Sequence, residues 1–379
     1  MILRNYLKIP ALLLALPLLG AAQQQQQKPT PPPAGGGPSG NTGPIIIPRS
    51  SQPAPSTGPL SAPSKAPKPT KPSYAYHVSV PEVRIPVIVE TKDGNFIGHL
   101  GKDNFRIYED HKLQNITAVN YTDQAPMTVV EMVEFSNAQW WPFLYHILEA
   151  SYAFTSQLEP RDWVALVTYD LRPHIKVDFT HNKQAVYAGL NSLFYPGFSE
   201  SDLYDSLAWT INRLNGIKGR KVIVLITTGI NTFSRINFGQ IEKTVQSAHG
   251  VTIFPVAIGW SIRQYMEENG YLGAMGEMNY IVANNQLRYF AKWTGGRFYE
   301  PRFEGAYPDV FRDIAASVRN QYIVTYHPTD TKLDGTYRKI KVEVVGNDGK
   351  PLRIVNRKGK KVGYKVIAQA GYRARQAVQ

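Results

Sequence analysis

A short polar turn holds the side chains of this sequence that are best suited to metal chemistry. The stretch VEMVEFSNAQWW, residues 130–141, runs from an apolar segment into Glu134 and Ser136 and ends in two tryptophans. Carboxylate and hydroxyl oxygens are the ligands that Mg²⁺ takes in proteins. The first question is therefore whether this turn binds a metal ion or keeps only some of the ligands of such a site.

Titratable side chains elsewhere do not form a recognisable catalytic set. His174, His181 and His327 lie at strand ends and in loops without the spacing of a metal triad, and neither GxSxG nor HExxH occurs. Solvation or helix capping explains four aspartates, Asp162, Asp170, Asp178 and Asp205. With no nucleophile beside a base, we expect a protein that is not an enzyme.

The segments around the turn alternate between strand and helix patterns. The predicted strands are 128–135, 162–170, 174–180, 220–228 and 251–259. The predicted helices are 143–158, 183–193, 203–214, 240–248, 286–295 and 309–320. This alternation, with nearly continuous apolar runs in the strands, indicates a mostly parallel sheet covered by helices on both faces. Ligands of such sheets bind beyond the carboxyl ends of the strands, which is where the turn at Glu134 lies.

The segment that follows the last of these strands has no predicted element. Residues 261–285, SIRQYMEENGYLGAMGEMNYIVANN, form a long stretch that contains Gly and Met and is partly apolar. Loops of this length are usually functional or disordered. We expect either a lid over the crevice or a partner surface, with an irregular surface loop as the alternative.

Short strands flank the α/β region on both sides. Alternating β-branched and aromatic residues separated by Asp, Gly and Asn turns occur in 76–121 and again from residue 321 onward. These patterns predict antiparallel hairpins. Neither flank has enough strands for a stable sandwich, but together they could form one.

The N-terminal region reads as an exported leader and a linker. Arg4 and Lys8 precede an apolar run that ends in small residues, which favours a signal peptide over residues 1–22. A membrane anchor is the alternative, although the run is shorter than the roughly 20 residues that span a bilayer. Residues 23–73, rich in Pro, Gly and Gln, predict a disordered linker that acts either as a spacer or as a solubilising tail.

The charge of the chain is concentrated at its two ends. The net charge is +13, with seven basic and no acidic residues in 1–72, and thirteen basic and three acidic residues in 332–379. The densest basic segment contains Arg357, Lys358, Lys360 and Lys361, and could bind an anionic envelope surface or simply form a solvated hairpin tip. Export argues against nucleic acid as a partner. The absence of cysteine excludes disulfides and thiolate metal sites.

The order of these segments resembles the von Willebrand factor A family, and most closely the VWFA-related proteins of acidobacteria. The resemblance covers roughly residues 76–374 and rests on LEPRDWVALVTYD, SDLYDSL, GRKVIVLITTG, LRYFAKWTGGRFYE and VRNQYIVTYHP. It implies a doubly wound, mostly parallel Rossmann-like α/β sheet inserted in a small antiparallel β-sandwich. After the leader and linker, the expected divisions are the first sandwich segment at 74–125, the α/β domain at 126–320, the second sandwich segment at 321–374 and a tail at 375–379.

The family's metal-ion-dependent adhesion site is a DxSxS turn, a Thr and an Asp that hold Mg²⁺. The resemblance places these positions at Glu134, Ser136, Ala138, Ser201 and Thr228, so that only Ser136 is unchanged. Compared with an Asp, Glu134 displaces the carboxylate by roughly 1.5 Å, which is a large displacement for a ligand of an ion whose bonds are about 2.0 to 2.1 Å long. Ala138 has no side-chain oxygen and Thr228 has no charge.

Two neighbouring carboxylates could compensate for these changes. The loop FSESD carries Glu200 and Asp202, which would rebuild an acidic cage if they turned inward. We nevertheless expect no tightly bound cofactor, with weak Mg²⁺ binding through Glu134, Ser136 and Ser201 as the alternative.

A degenerate site of this kind can still bind a partner protein. Trp140 and Trp141 follow the turn, and tryptophan is enriched among the residues that anchor interfaces. We therefore expect an exported interaction module, located in the periplasm, at the cell surface or outside the cell. Its binding face would comprise Glu134, Ser136, Ala138, Trp140, Trp141, Ser201, Asp202 and Thr228. The alternatives are a self-assembling envelope protein that pairs through sandwich edges, and a tether that uses the basic C-terminal segment.

Overall fold

A computed structural model describes residues 82–121, 126–136, 148, 151–194, 200–355 and 358–376, with only the backbone described at 262 and 304. The described residues all belong to one compact unit, Ala75–Gln379. Four residues singled out in the sequence lie outside them: Ala138, Trp140, Trp141 and Arg357. The leader and the linker, residues 1–73, also lie outside the described residues.

Outside the segment 261–285, strands and helices follow one another in the order that the sequence patterns predict. The strands are β1 (Val83–Thr91), β2 (Phe105–Glu109), β3 (Lys112–Gln114), β4 (Ile116–Tyr121), β5 (Met127–Glu134), β6 (Trp163–Tyr169), β7 (Pro173–Thr180), β8 (Arg220–Thr227), β9 (Val251–Ala257), β10 (Gln321–Tyr326), β11 (Tyr337–Val344), β12 (Ile354–Val355), β13 (Lys361–Val362), β14 (Tyr364–Ala368) and β15 (Gly371–Arg373). The helices are α1 (described at 151–157), α2 (Lys183–Asn191), α3 (Leu203–Leu214), α4 (Phe238–Gln246), α5 (Trp260–Glu268), α6 (Ala274–Thr294) and α7 (Tyr307–Arg319).

The central sheet confirms the predicted α/β fold. Its strand order is β7-β6-β5-β8-β9, with β6, β5, β8 and β9 parallel and β7 antiparallel to β6. Every side chain of β5 is buried, as expected for a strand covered on both faces. Val129 and Val133 pack with apolar residues of α2 and α7, whereas Val130 and Met132 pack with those of α3, α4 and α6.

Strands from both flanks form the predicted sandwich. One sheet has the order β14-β1-β10-β4 and the other β15-β11-β2-β3. In the first sheet, β1 precedes the α/β region in the chain, and it pairs with β10 and β14, which follow it. The interior contains Ile85, Phe105, Tyr322, Val324 and Ile340. Burial of these side chains therefore requires both flanks at once.

The segment 261–285 is helical, and the expectation of a loop there was wrong. Helix α5 occupies its first half, and α6 begins at Ala274 and continues for 21 residues. Gly270, with φ of +72°, lies in the turn between the two helices. The predicted helix 286–295 is therefore only the C-terminal half of a longer one. Among the residues that the structure describes, no helix is long and apolar enough to cross a bilayer.

Candidate functional site at the strand ends

Four of the predicted site residues meet at the carboxyl edge of the central sheet. Glu134 ends β5, Ser136 follows it by two positions, Ser201 precedes α3, and Thr228 follows β8. Glu134, Ser136, Ser201 and Thr228 are all buried. The parallel order of β6, β5 and β8 brings these loops to the same edge, as the sequence predicts.

The Glu134 carboxylate is held by hydrogen bonds from the protein itself. Its Oε1 accepts from Ser136 Oγ at 2.9 Å, and its Oε2 accepts from the Thr228 N–H and from Thr227 Oγ1, both at 2.7 Å. Thr228 Oγ1 lies 3.0 Å from Oε2 and 3.2 Å from Oε1. Hydrogen bonds to an ionised group are among the stronger ones in proteins. The carboxylate therefore joins the loop after β5 to the loop after β8.

A second set of hydroxyls extends this network into the core. Tyr169 donates to Thr227 Oγ1 at 2.7 Å, and the Gly229 N–H donates to the same oxygen at 2.8 Å. Burial raises the pKa of Tyr169 well above its ordinary value, and the charge of Glu134 raises it further, while hydrogen bonds to Thr227 and Ser201 act in the opposite direction. Tyr169 thus stays protonated and donates, which leaves the Thr227 hydroxyl free to donate to Glu134.

The two acidic residues of the FSESD loop do not rebuild an acidic cage. Asp202 caps α3 instead: its Oδ1 accepts from the Asp205 N–H at 3.2 Å and from Ser234 Oγ at 2.7 Å. Burial raises the pKa of Asp202. Glu200 is exposed. The Asp202 carboxylate is thus bound at the start of α3, where the first N–H groups of a helix have no partner within the helix.

Helix α6 closes the crevice from the side. Thr228, Trp260, Arg263, Tyr280 and Asn284 line a small cavity of about 10 Å³, which has room for about one water molecule. Burial raises the pKa of Tyr280, and the nearby Glu134 charge adds to this effect. Within the described residues, no group of three or more His, Asp or Glu side chains is placed to hold a metal ion.

Several contacts of this site were not predicted from the sequence. Tyr169 and Thr227 complete the Glu134 network, and Tyr280 and Asn284 lie on a helix that was expected to be a loop. The adjacent hydroxyls of Thr227 and Thr228 were the available signal. The resemblance pointed to Thr228 alone, whereas both hydroxyls contact the Glu134 carboxylate.

The other face of α6 exposes a row of apolar side chains. We call this row the α6 stripe; it comprises Met275, Met278, Ile281, Val282 and Tyr289, which are between 46% and 71% exposed. Spacings of three, four and seven residues place them on one side of the helix. Exposed apolar patches of this kind usually mark interaction sites.

Comparison with known proteins agrees with this architecture. Residues 136–290 match the family model described as the von Willebrand factor type A domain. The central sheet with its covering helices accordingly has the von Willebrand A fold. No curated protein matches the chain. The closer likeness to acidobacterial proteins stays a prediction.

Three solved structures illustrate the fold likeness. BatB from Bacteroides thetaiotaomicron is 12% identical, with 52% of this chain and 100% of that chain covered and a TM-score of 0.38. The vWF domain of the type V pili tip protein Mfa5 from Porphyromonas gingivalis is 14% identical, with 51% and 95% covered and a TM-score of 0.40. A von Willebrand factor type A structure from Catenulispora acidiphila is 10% identical, with 78% and 75% covered and a TM-score of 0.40. At these scores none of them bears on the site.

Proposed function

We propose that this chain is an exported protein-interaction module, without enzymatic activity, that binds a partner protein through its strand-end face and the adjoining exposed side of α6. The α6 stripe is the observation that carries the proposal. It exposes five large apolar side chains on the helix whose opposite side closes the crevice. Burial of such side chains drives protein association, and Met adapts well to varied partner surfaces.

In this proposal the adhesion site is degenerate and binding does not require tightly held Mg²⁺. The Glu134 oxygens already accept hydrogen bonds from Ser136, Thr227 and Thr228, so a metal ion would have to displace these donors. Partner binding would use the stripe together with the polar rim of the crevice, and Trp140 and Trp141 are proposed to belong to the same face. The leader and the linker would place this face outside the cytoplasm.

A double substitution in the α6 stripe tests the proposal. Met278→Glu with Ile281→Glu places two charges on the exposed face without touching the core. We expect the wild-type chain to retain one specific partner from the native envelope, and the double variant to lose it. The variant should keep the wild-type unfolding midpoint, which separates lost binding from lost folding.

The matched control also tests the alternative of assembly through sandwich edges. Leu113, on the short edge strand β3, is 56% exposed and lies in the sandwich. Leu113→Glu should leave partner capture intact. If it abolishes capture or self-association while the stripe variant does not, the protein pairs through its sheet edges, and the proposal is wrong.

The basic segment is a third candidate surface. Lys358 and Lys360 are exposed between β12 and β13, where the two strands form a small hairpin, and Lys361 begins β13. Binding of the wild type, but not of a Lys360→Gln, Lys361→Gln variant, to anionic vesicles at physiological salt would favour an envelope tether. Release of the protein from the vesicles at low salt would show that it binds them only by nonspecific electrostatic attraction.

A further inference from the structure

A cavity lies at the opposite edge of the central sheet, where the parallel strands begin. Its volume is about 560 Å³. The walls come from the starts of β8 and β1 and from segments beside β9, β11 and β15, so both the sandwich and the α/β sheet contribute. Ligand pockets of proteins commonly span about 300 to 1,000 Å³. The cavity is therefore large enough for a small organic molecule.

Cationic side chains dominate the lining of this cavity. Six Lys or Arg residues contribute to it: Arg84, Lys218, Lys221, Lys332, Arg338 and Arg375. The lining has two carboxylates, and each lies beside an arginine: Glu82 is 2.8 Å from Arg84, and Asp330 is 3.6 Å from Arg338. The remaining lysines and Arg375 give the cavity an excess of positive charge.

Lys221 is the most unusual of these residues. It is only 9% exposed, and no hydrogen bond or ion pair joins its Nζ to the described residues of the chain. Burial lowers the pKa of Lys221. The residue is largely buried while its ammonium group lines the cavity without an ionic partner in the described part of the chain, and proteins usually pair such a charge. Residues 1–81 contain no Asp or Glu, so no side chain of that segment can neutralise it.

The rest of the cavity is apolar and firmly built. Its apolar surface comes from Val83, Ile85, Ile217, Leu333 and Ala374 and from the ring of Tyr372. The Tyr372 hydroxyl donates to Glu109 Oε2 at 3.0 Å, and Arg338 Nη1 lies 3.3 Å from Glu109 Oε1. The side chains of Glu109 and Arg338 are each only 3% exposed, so this network holds the floor in place.

His249 lies between two of the cations and the aromatic floor. Its ring is edge-on to Tyr372, with 6.1 Å between ring centres. Burial lowers the pKa of His249, and the positive charges of Arg375 and Lys221 lower it further. Lys221 and Arg375 line the same cavity as His249, and both charges act on its ring.

We infer that this cavity binds a small organic anion, consisting of an apolar body and a phosphate or carboxylate group. The oxyanion would be bound by Lys221 and Arg375, and the apolar body would pack on Val83, Ile217 and Leu333, which are the accessible apolar residues of the lining. This site is separate from the strand-end face, because it lies at the opposite ends of the same parallel strands. It would give the module a small-molecule ligand in addition to its protein partner.

Calorimetric titration of the full chain tests this inference with three probes. Phenyl phosphate and phenylacetate carry the two possible oxyanions on the same ring, and inorganic phosphate lacks the ring. We expect at least one aromatic anion to bind, at least tenfold more tightly than inorganic phosphate. The tighter of the two aromatic probes identifies the preferred oxyanion.

Substitutions assign the binding to the cavity. Lys221→Met keeps most of the aliphatic stem and should weaken binding at least tenfold, while Arg375→Gln, at an exposed position, should weaken it several-fold. Lys361→Met, in the basic hairpin outside the cavity, should bind like the wild type. The stripe variant Met278→Glu, Ile281→Glu should also bind like the wild type, so failure of the protein-binding proposal remains distinguishable.

Three results would overturn the inference. The first is an absence of heat from both aromatic anions at millimolar concentration. The second is unchanged affinity in Lys221→Met and in Arg375→Gln. The third is an equal loss in Lys361→Met, which would show nonspecific attraction to basic side chains. If Lys221→Met does not fold, the affinities of Arg375→Gln and Lys361→Met for the aromatic anions are compared instead. Equal affinities would overturn the inference.

Discussion

The Glu134 carboxylate joins two loops through hydrogen bonds within the chain. It reaches across the crevice to Thr227 and Thr228. Three protein donors within 2.9 Å surround its oxygens. The residue therefore acts as a link between two loops, a role that residue type alone does not indicate.

Removal of this link should destabilise the fold. We expect Glu134→Ala to lower the free energy of unfolding by about 2 to 4 kcal/mol, because buried donors of Thr227 and Thr228 lose a charged acceptor. Chemical denaturation measures this loss. Glu267→Ala, at an exposed position of α5, is the control and should change stability by less than about 0.5 kcal/mol.

The same measurement tests metal binding. A ligand that binds only the folded state stabilises it by mass action, so millimolar MgCl₂ should leave the wild-type unfolding midpoint unchanged. A clear rise in that midpoint, absent from Glu134→Ala, would show that Mg²⁺ displaces the hydroxyl donors and that the site is a working one.

A second carboxylate, three residues earlier, lies in the core. Glu131 is fully buried in β5, and Thr155 Oγ1 donates to its Oε1 at 2.5 Å. Its Oε2 is buried without a hydrogen-bond partner among the described residues. Burial raises the pKa of Glu131 to about 8, against the opposing effect of the Thr155 hydrogen bond. The side chain is therefore mostly protonated at neutral pH.

This shift makes stability depend on pH. Burial raises the folded-state pKa of Glu131 from 4.5 to about 8. The contribution of this residue to stability is therefore complete below pH 4.5 and is lost as the pH rises through 8. The limiting slope is about 1.4 kcal/mol per pH unit. Glu131→Gln, which resembles the protonated form, should flatten the unfolding free energy measured between about pH 5 and pH 9. An unchanged slope in Glu131→Gln, equal to that of the control Glu267→Gln, would contradict this prediction.

Among the elements, the strands of the central sheet were predictable and α5 with the first half of α6 was not. Strand β8, RKVIVLIT, is apolar along most of its length because both faces are covered, and that pattern is visible in the sequence. The first half of α6 instead exposes Met275, Met278 and Ile281. Because these apolar residues lie on an exposed side of the helix, their spacing did not indicate a helix that packs on the core.

The direction of the Asp202 side chain could not be predicted from the sequence either. The family pattern placed its loop beside the strand-end crevice, and Ser201 does lie there. Which way the Asp202 side chain points depends on local competition, because an N–H group at the start of α3 and the Ser234 hydroxyl both donate to its carboxylate. Sequence can thus place a loop at a sheet edge without fixing the direction of its side chains.

The end of α6 is fixed to β9 by a close backbone approach. Thr294 Oγ1 accepts from the Ile253 N–H at 2.9 Å, and a Cβ added at Gly296 would lie 1.9 Å from the Ile253 carbonyl oxygen. Only glycine allows this contact. The helix that carries the stripe is thereby positioned against the edge strand of the sheet.

We expect Gly296→Ala to lower the free energy of unfolding by about 3 kcal/mol, because backbone must move to relieve the clash. Denaturation midpoints measure the effect. Gly98→Ala is the matched control, since an added Cβ there meets no atom within 4 Å. Equal midpoints for the two variants would mean that α6 does not depend on close contact with β9.

At the scale of the whole molecule, the sandwich and the α/β sheet share one set of ionic contacts. Arg297, between α6 and α7, lies 2.5 Å from Glu90 of β1 and 2.6 Å from Asp313 of α7. The Glu90 side chain is only 3% exposed. Since β1 and β10 come from opposite sides of the α/β region, their pairing closes a loop that contains this region, and folding of the region lowers the entropic cost of that closure. The described unit should therefore unfold cooperatively.

Arg297→Leu tests this coupling. Among the described residues, loss of the guanidinium leaves the buried Glu90 carboxylate with Lys365 as its ionic partner, whose Nζ is 4.0 Å away, so we expect a cost of about 3 to 5 kcal/mol. The control is Arg312→Leu, because Arg312 and Asp309 form an equally short pair of 2.6 Å with both side chains more than 60% exposed. That control should cost less than about 1 kcal/mol. Tryptophan fluorescence follows the α/β region, which holds all six tryptophans, and amide hydrogen exchange in β1 and β10 follows the sandwich. Both probes should shift together in Arg297→Leu. Separate transitions, or a cost no larger than that of Arg312→Leu, would show that the sandwich and the α/β region are stable independently and that the inserted arrangement does not couple them.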